Sequence, residues 1–82
     1  MNQTEVFDKV KEIVAPYCKN EEGLAQASDA TTFLGDLSIN SARLVDIVID
    51  FEDAFDIEVS DQEADKIQNF GDAVGLIMEK VA

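Results

Sequence analysis

The spacing of apolar residues constrains this chain more than any other feature of its sequence. Three stretches, at 4–17, 41–55 and 70–81, place apolar side chains every three or four residues. That spacing puts the apolar side chains on one face of an α-helix, so each stretch predicts an amphipathic helix. The second helix has an unusually wide apolar side, which carries Leu44, Val45, Ile47, Val48, Ile49, Phe51 and Phe55.

Residues with helix-capping side chains stand at the start of each predicted helix. Thr4, Asn40 and Asn69 are the predicted N-caps of the three long helices. Ser60, followed three residues later by Glu63, predicts a capping box on a further short helix at 61–67.

The segment at 19–40 lacks a sustained apolar period and is predicted to be a long loop, with a short helical turn near 23–27. Its apolar residues, among them Phe33, Leu34 and Leu37, are expected to hold the loop on the core. A chain of 82 residues forms a single domain, here 1–82. We therefore expect an all-α fold, a small bundle of three main helices plus one short helix.

The charge of the chain limits its partners. The formal net charge is −12, with 18 acidic and 6 basic residues. Binding to nucleic acid or to an anionic membrane needs clustered Lys and Arg, so neither partner is expected. The acids of the second helix and its surroundings form a surface that suits a basic protein partner. This surface is formed by Asp46, Asp50, Glu52, Asp53 and Asp56.

Catalytic and metal-binding patterns are missing from the sequence. The chain has no histidine, the commonest activating base, so we expect no catalytic residues and no enzyme. A calcium loop beginning at Asp50 would need glycine at its sixth position and glutamate at its twelfth. Phe55 and Asp61 stand there instead, so an acidic calcium-responsive protein is disfavoured and no metal site is expected.

The single cysteine, Cys18, leaves no partner for an intrachain disulfide and suggests a reducing compartment. The first residues lack the apolar core of a secretory signal, and no apolar run is long enough to span a bilayer. We expect a cytoplasmic monomer that does not insert into membranes.

Ser41 is the candidate functional residue. A serine that merely begins a helix is the commoner case. Two features favour a modified hydroxyl: the loop before Ser41 carries apolar anchors, and a helix N-terminus favours a phosphate ester.

At this point the chain resembles the acyl carrier protein family, whose typical core reads Phe-x-x-Asp-Leu-Gly-x-Asp-Ser-Leu, followed by an acidic helix that ends Phe-x-Ile-x-Ile. Phe33, Asp36 and Leu37 match this core, and Ser41 falls on the modified serine. The similarity continues in register through Val45, Val48, Glu52, Asp53, Phe55, Ile57, Glu58, Val59, Asp61, Glu63, Ala64, Asp65 and Lys66, and then through Phe70, Asp72, Ala73, Val74 and Ile77.

The resemblance implies a covalent cofactor. A phosphopantetheinyl transferase would attach 4′-phosphopantetheine to Ser41, with Asn40 and Ala42 beside the attachment point. The arm would hold acyl groups as thioesters, for acyl-loading and acyl-transferring enzymes whose basic patches meet Arg43 and the acidic surface. The candidate residues of the acyl pocket are Leu37, Val45, Val48, Ile49, Phe51 and Ile77.

Four residues depart from the family pattern around Ser41. Asn40 replaces an aspartate, Ala42 a leucine, Ser38 a glycine, and Arg43 a residue that is commonly acidic. These changes suggest a specialised carrier for a dedicated fatty-acid or lipid pathway. The alternative is an unmodified acidic interaction or adaptor module of the same fold.

Overall fold

The computed structural model describes residues 2–81 and contains five α-helices. They are α1 (Gln3–Val14), α2 (Glu21–Ala25), α3 (Leu44–Phe55), α4 (Asp61–Asp65) and α5 (Phe70–Val81). Within residues 2–81, the β-type backbone pairing is one isolated bridge between Thr32 and Asn69. The predicted all-α fold with three long helices is confirmed, and α2 is an additional short helix at the predicted turn.

The start of α1 differs from the prediction. Asn2, and not Thr4, is the N-cap: its side chain accepts a hydrogen bond from the Glu5 amide at 2.8 Å. The Glu5 carboxylate in turn accepts from the Asn2 amide at 3.5 Å, which completes a capping box. Thr4 lies inside the first turn because Asn2 has a glutamate at the third helical position and Thr4 does not.

The core lies where α1, α3 and α5 pack together. Val6, Val10 and Val14 of α1 are fully buried, and α1 contacts both other long helices. The centroids of the Phe7 and Phe70 rings lie 5.1 Å apart, and the rings are tilted against each other. Aromatic pairs prefer this arrangement to face-to-face stacking.

The loop between α2 and α3 is held firmly on this core. Phe33 and Leu37 are buried, and the Phe33 ring lies 5.0 Å from that of Phe70. The Phe33 amide donates to the Gln68 carbonyl and the Phe70 amide donates to the Thr31 carbonyl, each at 3.1 Å. The anchoring role expected for Phe33 and Leu37 is therefore confirmed. Leu34 is instead 47% exposed, because it faces a cavity described below.

Helix α3 begins later and buries less than its sequence pattern predicts. Ser41–Arg43 form a 3₁₀ turn, and the α-helix starts at Leu44. Ile47, Val48, Phe51 and Phe55 are buried, whereas Val45 is 64% and Ile49 48% exposed. The wide apolar side that the sequence predicts is therefore only partly buried: Val45 and Ile49 stay exposed, whereas the buried residues of α3 belong to the core shared with α1 and α5.

The predicted caps of the last two helices are confirmed. The Ser60 hydroxyl accepts from the Glu63 amide at 3.2 Å, and the Glu63 carboxylate accepts from the Ser60 amide at 3.0 Å. Asn69 accepts from the Asp72 amide at 2.8 Å. Helix α4 ends at Asp65, two residues before the predicted end, which leaves Ile67 buried in the connection to α5.

Candidate functional site

Ser41 is exposed at the first position of the 3₁₀ turn that leads into α3. Asn40 performs the capping: its side-chain oxygen accepts from the Ala42 amide at 2.9 Å, and its carbonyl accepts from the Arg43 amide at 2.8 Å. The turn therefore does not use the Ser41 hydroxyl as a cap.

The loop before Ser41 is built to present this residue in a fixed place. Thr32 and Asp36 bond reciprocally: the Thr32 amide donates to the Asp36 carboxylate at 2.9 Å, and the Asp36 amide donates to the Thr32 hydroxyl at 3.0 Å. The Ile39 amide donates to the Phe33 carbonyl at 3.1 Å, and the Ile39 side chain is buried. The backbone is thus fixed up to Asn40, next to Ser41.

Ser38 has a left-handed backbone conformation within this loop, with φ of 54°. Glycine adopts this region without steric cost, whereas a residue with a Cβ is disfavoured there. The typical glycine of the family pattern therefore has a physical reason at this position, and Ser38 keeps the conformation at some cost in stability.

A largely apolar cavity adjoins Ser41. Its volume is about 520 Å³, and it lies between the loop, the start of α3 and the region of α4. A space of this size accommodates a small organic ligand or part of an acyl chain. The residues around it are Thr32, Phe33, Leu34, Gly35, Ser41, Leu44, Val45, Val48, Ala64, Asp65, Ile67 and Gln68.

Of the six candidate pocket residues predicted from the sequence, two line the cavity and four do not. Val45 and Val48 line the cavity. Leu37, Phe51 and Ile77 are buried in the core and are not among its lining residues, and Ile49 is exposed elsewhere on α3.

Sequence reasoning missed the cavity-lining roles of Leu34, Leu44 and Ile67. Leu44 belongs to the predicted apolar stripe of α3 and could have been found from that stripe. Leu34 and Ile67 meet the cavity through tertiary packing, for which the local sequence gave no signal.

The acidic surface holds several carboxylates with partners inside the chain. Asp50 accepts a 2.7 Å hydrogen bond from the Tyr17 hydroxyl, and Glu52 accepts from the Val59 amide at 3.2 Å. The hydrogen bond to Asp50, with partial desolvation and the negative charge of Asp50, raises the pKa of Tyr17 above its ordinary value. These two carboxylates therefore also hold α3 to its neighbours.

The remaining residues of the predicted partner surface lie along α3 and at its ends. Arg43 pairs with Asp46 at 3.1 Å, and Asp53 is exposed. Asp56 ends α3 in a left-handed conformation with φ of 54°. Val45 and Ile49 add exposed apolar area among these charges, a combination typical of surfaces that bind other proteins.

The residues that the structure describes hold neither a metal-binding cluster nor a membrane-spanning helix. Across residues 2–81, no three side chains of the His, Cys, Asp and Glu types are grouped to hold a metal ion. No helix within the same range has the length and apolar content that a bilayer crossing requires.

The sequence is similar over nearly its full length to curated acyl carrier proteins. An acyl carrier protein of Lactobacillus acidophilus is 35% identical over 77 residues, covering 94% of this chain and 94% of that protein. An acyl carrier protein of a Picosynechococcus species is 39% identical over 80 residues, covering 98% of this chain and 95% of that protein.

The solved structures agree with these relatives. An acyl carrier protein from Enterococcus faecalis matches this fold with a TM-score of 0.80 and 32% identity, covering 98% of this chain and 99% of that chain. No protein-family model matches the sequence. The chain belongs to the acyl carrier protein family. Members of this family are carriers and not enzymes, which confirms that expectation, and they generally hold a phosphopantetheine group.

Proposed function

We propose that Ser41 carries 4′-phosphopantetheine and that the chain delivers acyl groups, as thioesters on that arm, to a dedicated fatty-acid or lipid pathway. The observation that carries the proposal is the placement of Ser41, which is exposed and also lines the 520 Å³ cavity. Exposure gives a modifying enzyme access to the hydroxyl, and the cavity offers an acyl chain an apolar environment.

The residues around Ser41 fit such a group. Asn40 and Ala42 flank the attachment point, and the Asn40 cap keeps the 3₁₀ turn formed whether or not the hydroxyl is modified. When bound, the group supplies the thiol that carries the acyl chain. The side chains of Leu34, Leu44 and Val48 then exclude water from that chain.

We infer the partner-binding surface from the charge and the exposure of side chains on α3. Asp46 and Asp53 lie near the exposed apolar side chains Val45 and Ile49 on α3. A phosphopantetheinyl transferase and acyl-handling enzymes with basic patches would meet this surface, with charge governing encounter and the apolar pair adding contact area. Nucleic acid and membrane insertion have no part in this proposal, in which the chain acts as a cytoplasmic monomer.

Intact-mass measurement tests the attachment. The chain is incubated with coenzyme A and a broad-specificity phosphopantetheinyl transferase. We expect the wild type to gain one arm, Ser41→Ala to gain none, and Ser38→Ala, three residues earlier in the same loop, to gain one. A gain in Ser41→Ala would place the modification elsewhere. No gain in the wild type with several transferases would favour the unmodified adaptor.

A further inference from the structure

The segment that runs from α4 to the start of α5 lies between the cavity at Ser41 and a second, separate cleft. The cavity has a volume of about 520 Å³. The second space, which we call the α4–α5 cleft, has a volume of about 380 Å³ and lies between α4, the connection and α5. It is lined by Glu63, Lys66, Ile67, Asp72, Leu76 and Glu79.

Ile67 is the residue at which the two spaces meet. Ala64, Asp65 and Gln68 line the cavity, whereas Glu63 and Lys66 line the α4–α5 cleft; these residues are all neighbours of Ile67 in the sequence. Within residues 2–81, Ile67 alone lines both spaces. Residues 63–68 therefore form a partition between the cavity and the cleft.

Contacts hold this partition at both of its ends. The Glu63 carboxylate pairs with Lys80 of α5 at 3.0 Å. The Gln68 carbonyl accepts a hydrogen bond from the Phe33 amide at 3.1 Å, which ties the other end to the loop. Ile67 itself is 6% exposed and belongs to the hydrophobic core. In a close-packed core a side chain has little room to move aside, so the partition stays closed at Ile67.

The two sides of the partition offer an acyl chain different environments. Leu34, Leu44 and Val48 give the cavity apolar walls. The α4–α5 cleft has charged walls, formed by Glu63, Lys66, Asp72 and Glu79. Hydrocarbon gains free energy when it leaves water for an apolar environment, and burying a charge against it is costly. The cleft is therefore a poor continuation of the cavity.

We propose that Ile67 closes the acyl cavity and thereby determines the longest saturated acyl chain that the carrier encloses. This inference rests on the proposed function, in which Ser41 carries that chain. Chains up to this length end against Ile67 inside the cavity, and the further methylene groups of a longer chain stay in water. An enclosed methylene group stabilises the loaded protein, whereas a methylene group in water does not.

A series of acyl chain lengths in two matched variants tests the role of Ile67. The melting temperature is measured for the wild type, Ile67→Ala and Ile77→Ala, each loaded with saturated acyl groups of increasing length and verified by intact mass. In the wild type we expect each added methylene group to raise the melting temperature by up to about 6 °C until the cavity is filled. Beyond that limiting length we expect no further rise.

The two variants should differ in this limiting length. Ile67→Ala should move it to chains about two carbon atoms longer, because truncation of the side chain enlarges the cavity. Ile77→Ala truncates the same side chain at a buried position that lines neither the cavity nor the cleft. It should therefore keep the limiting length of the wild type while losing stability of its own.

The outcomes separate the role of Ile67 from the attachment itself. If the wild type gains no mass on loading, the attachment fails and the role of Ile67 falls with it. If the chain is loaded and Ile67→Ala keeps the wild-type limiting length, or Ile77→Ala moves that length equally, the role of Ile67 alone is overturned.

A measurement on the wild type covers the case in which Ile67→Ala does not fold. The terminal methyl group of the longest acyl chain that still adds stability is labelled with ¹³C, and its NMR contacts to protein methyl groups are recorded. We expect contacts to Ile67 and none to Leu76, which lines the cleft beyond the partition. Contacts to Leu76, or no contact to Ile67, would overturn the proposal independently of any variant.

Discussion

Ser38 shows at the scale of one residue how a local departure affects stability. Its φ of 54° is a conformation that glycine adopts freely and serine does not. We predict that Ser38→Gly raises the free energy of unfolding by about 0.5–1 kcal/mol, because the left-handed conformation costs about 1–2 kcal/mol for a residue with a Cβ and the greater freedom of glycine in the unfolded chain offsets part of that. Chemical denaturation measures the difference.

Ser28→Gly is the matched control for this prediction. Ser28 lies in the same long connection but has no positive φ, so glycine there only adds freedom to the unfolded chain. We expect Ser28→Gly to lower stability slightly. If Ser38→Gly lowers the free energy of unfolding as much as Ser28→Gly does, or more, the Ser38 side chain contributes more stability than its backbone conformation costs.

The residues that sequence analysis identified correctly are those whose partners lie close in the chain. Asn40, Ser60 and Asn69 accept hydrogen bonds from amides only two or three residues later, so short patterns suffice to find them. The choice of Thr4 over Asn2 failed because two capping residues compete within the same short segment.

The elements meet through contacts that the sequence does not encode locally. Val45 and Ile49 have the same apolar spacing as Phe51 and Phe55, and the position of the neighbouring helices decides which of them are covered. The cavity likewise brings Leu34 of the loop to Ala64 and Ile67 near α4. A helical pattern predicts an apolar face, but it cannot say where that face is left open.

The cavity is a feature of element packing, and filling it should change what the carrier accepts. We predict that Ala64→Phe, which places a ring among the lining residues, reduces the stabilisation that a long acyl chain gives the loaded protein. Ala54→Phe, at an exposed position of α3, is the control and should retain the wild-type response. The melting temperature is compared across a series of acyl chain lengths. The same chain-length profile in both variants would show that the acyl chain does not use this cavity.

The link between α4 and α5 depends on Glu63. This carboxylate accepts from the Ser60 amide and pairs with Lys80 at 3.0 Å. The Ser60 backbone first, and Lys80 second, hold the pKa of Glu63 below its ordinary value of 4.5. A depressed carboxyl pKa stabilises the folded state above the unfolded value, and this contribution is lost as pH falls through the folded value.

We therefore predict that Glu63→Gln lowers the melting temperature at neutral pH and that the difference from the wild type shrinks below about pH 4.5. Glu58→Gln, an exposed carboxylate in the connection before α4, removes the same charge and should give a smaller effect. If the melting-temperature difference between Glu63→Gln and the wild type stays constant down to strongly acidic pH, the role assigned to the Glu63 carboxylate is contradicted.

Tyr17 lies in the 3₁₀ turn Ala15–Tyr17 that follows α1, and it makes the corresponding link to α3. Its pKa is raised by the hydrogen bond to Asp50, so the bond supports the fold below the ordinary tyrosine pKa and is lost as pH rises through the higher folded value. We predict that Tyr17→Phe lowers the melting temperature at neutral pH by a few degrees and that this loss disappears in strongly alkaline solution. A thermal scan of both proteins across alkaline pH measures it.

The net charge of −12 affects the stability of the whole molecule. Self-repulsion of that size opposes the compact state, and salt screens it. We predict that the melting temperature of the apo chain rises steadily as sodium chloride increases to about 1 M, where the screening length is about 3 Å. A melting temperature independent of salt would mean that local ion pairs compensate for the repulsion.

The acyl chain itself gives the most direct test of the central claim, that Ser41 presents its cargo to the cavity between the loop, α3 and α4. The chain is loaded with a ¹³C-labelled medium-length saturated acyl group, and NMR contacts from that group to protein methyl groups are measured. We predict contacts to Leu34, Val48 and Ile67, which line the cavity. Contacts to Ile77, or an acyl group without protein contacts, would contradict it.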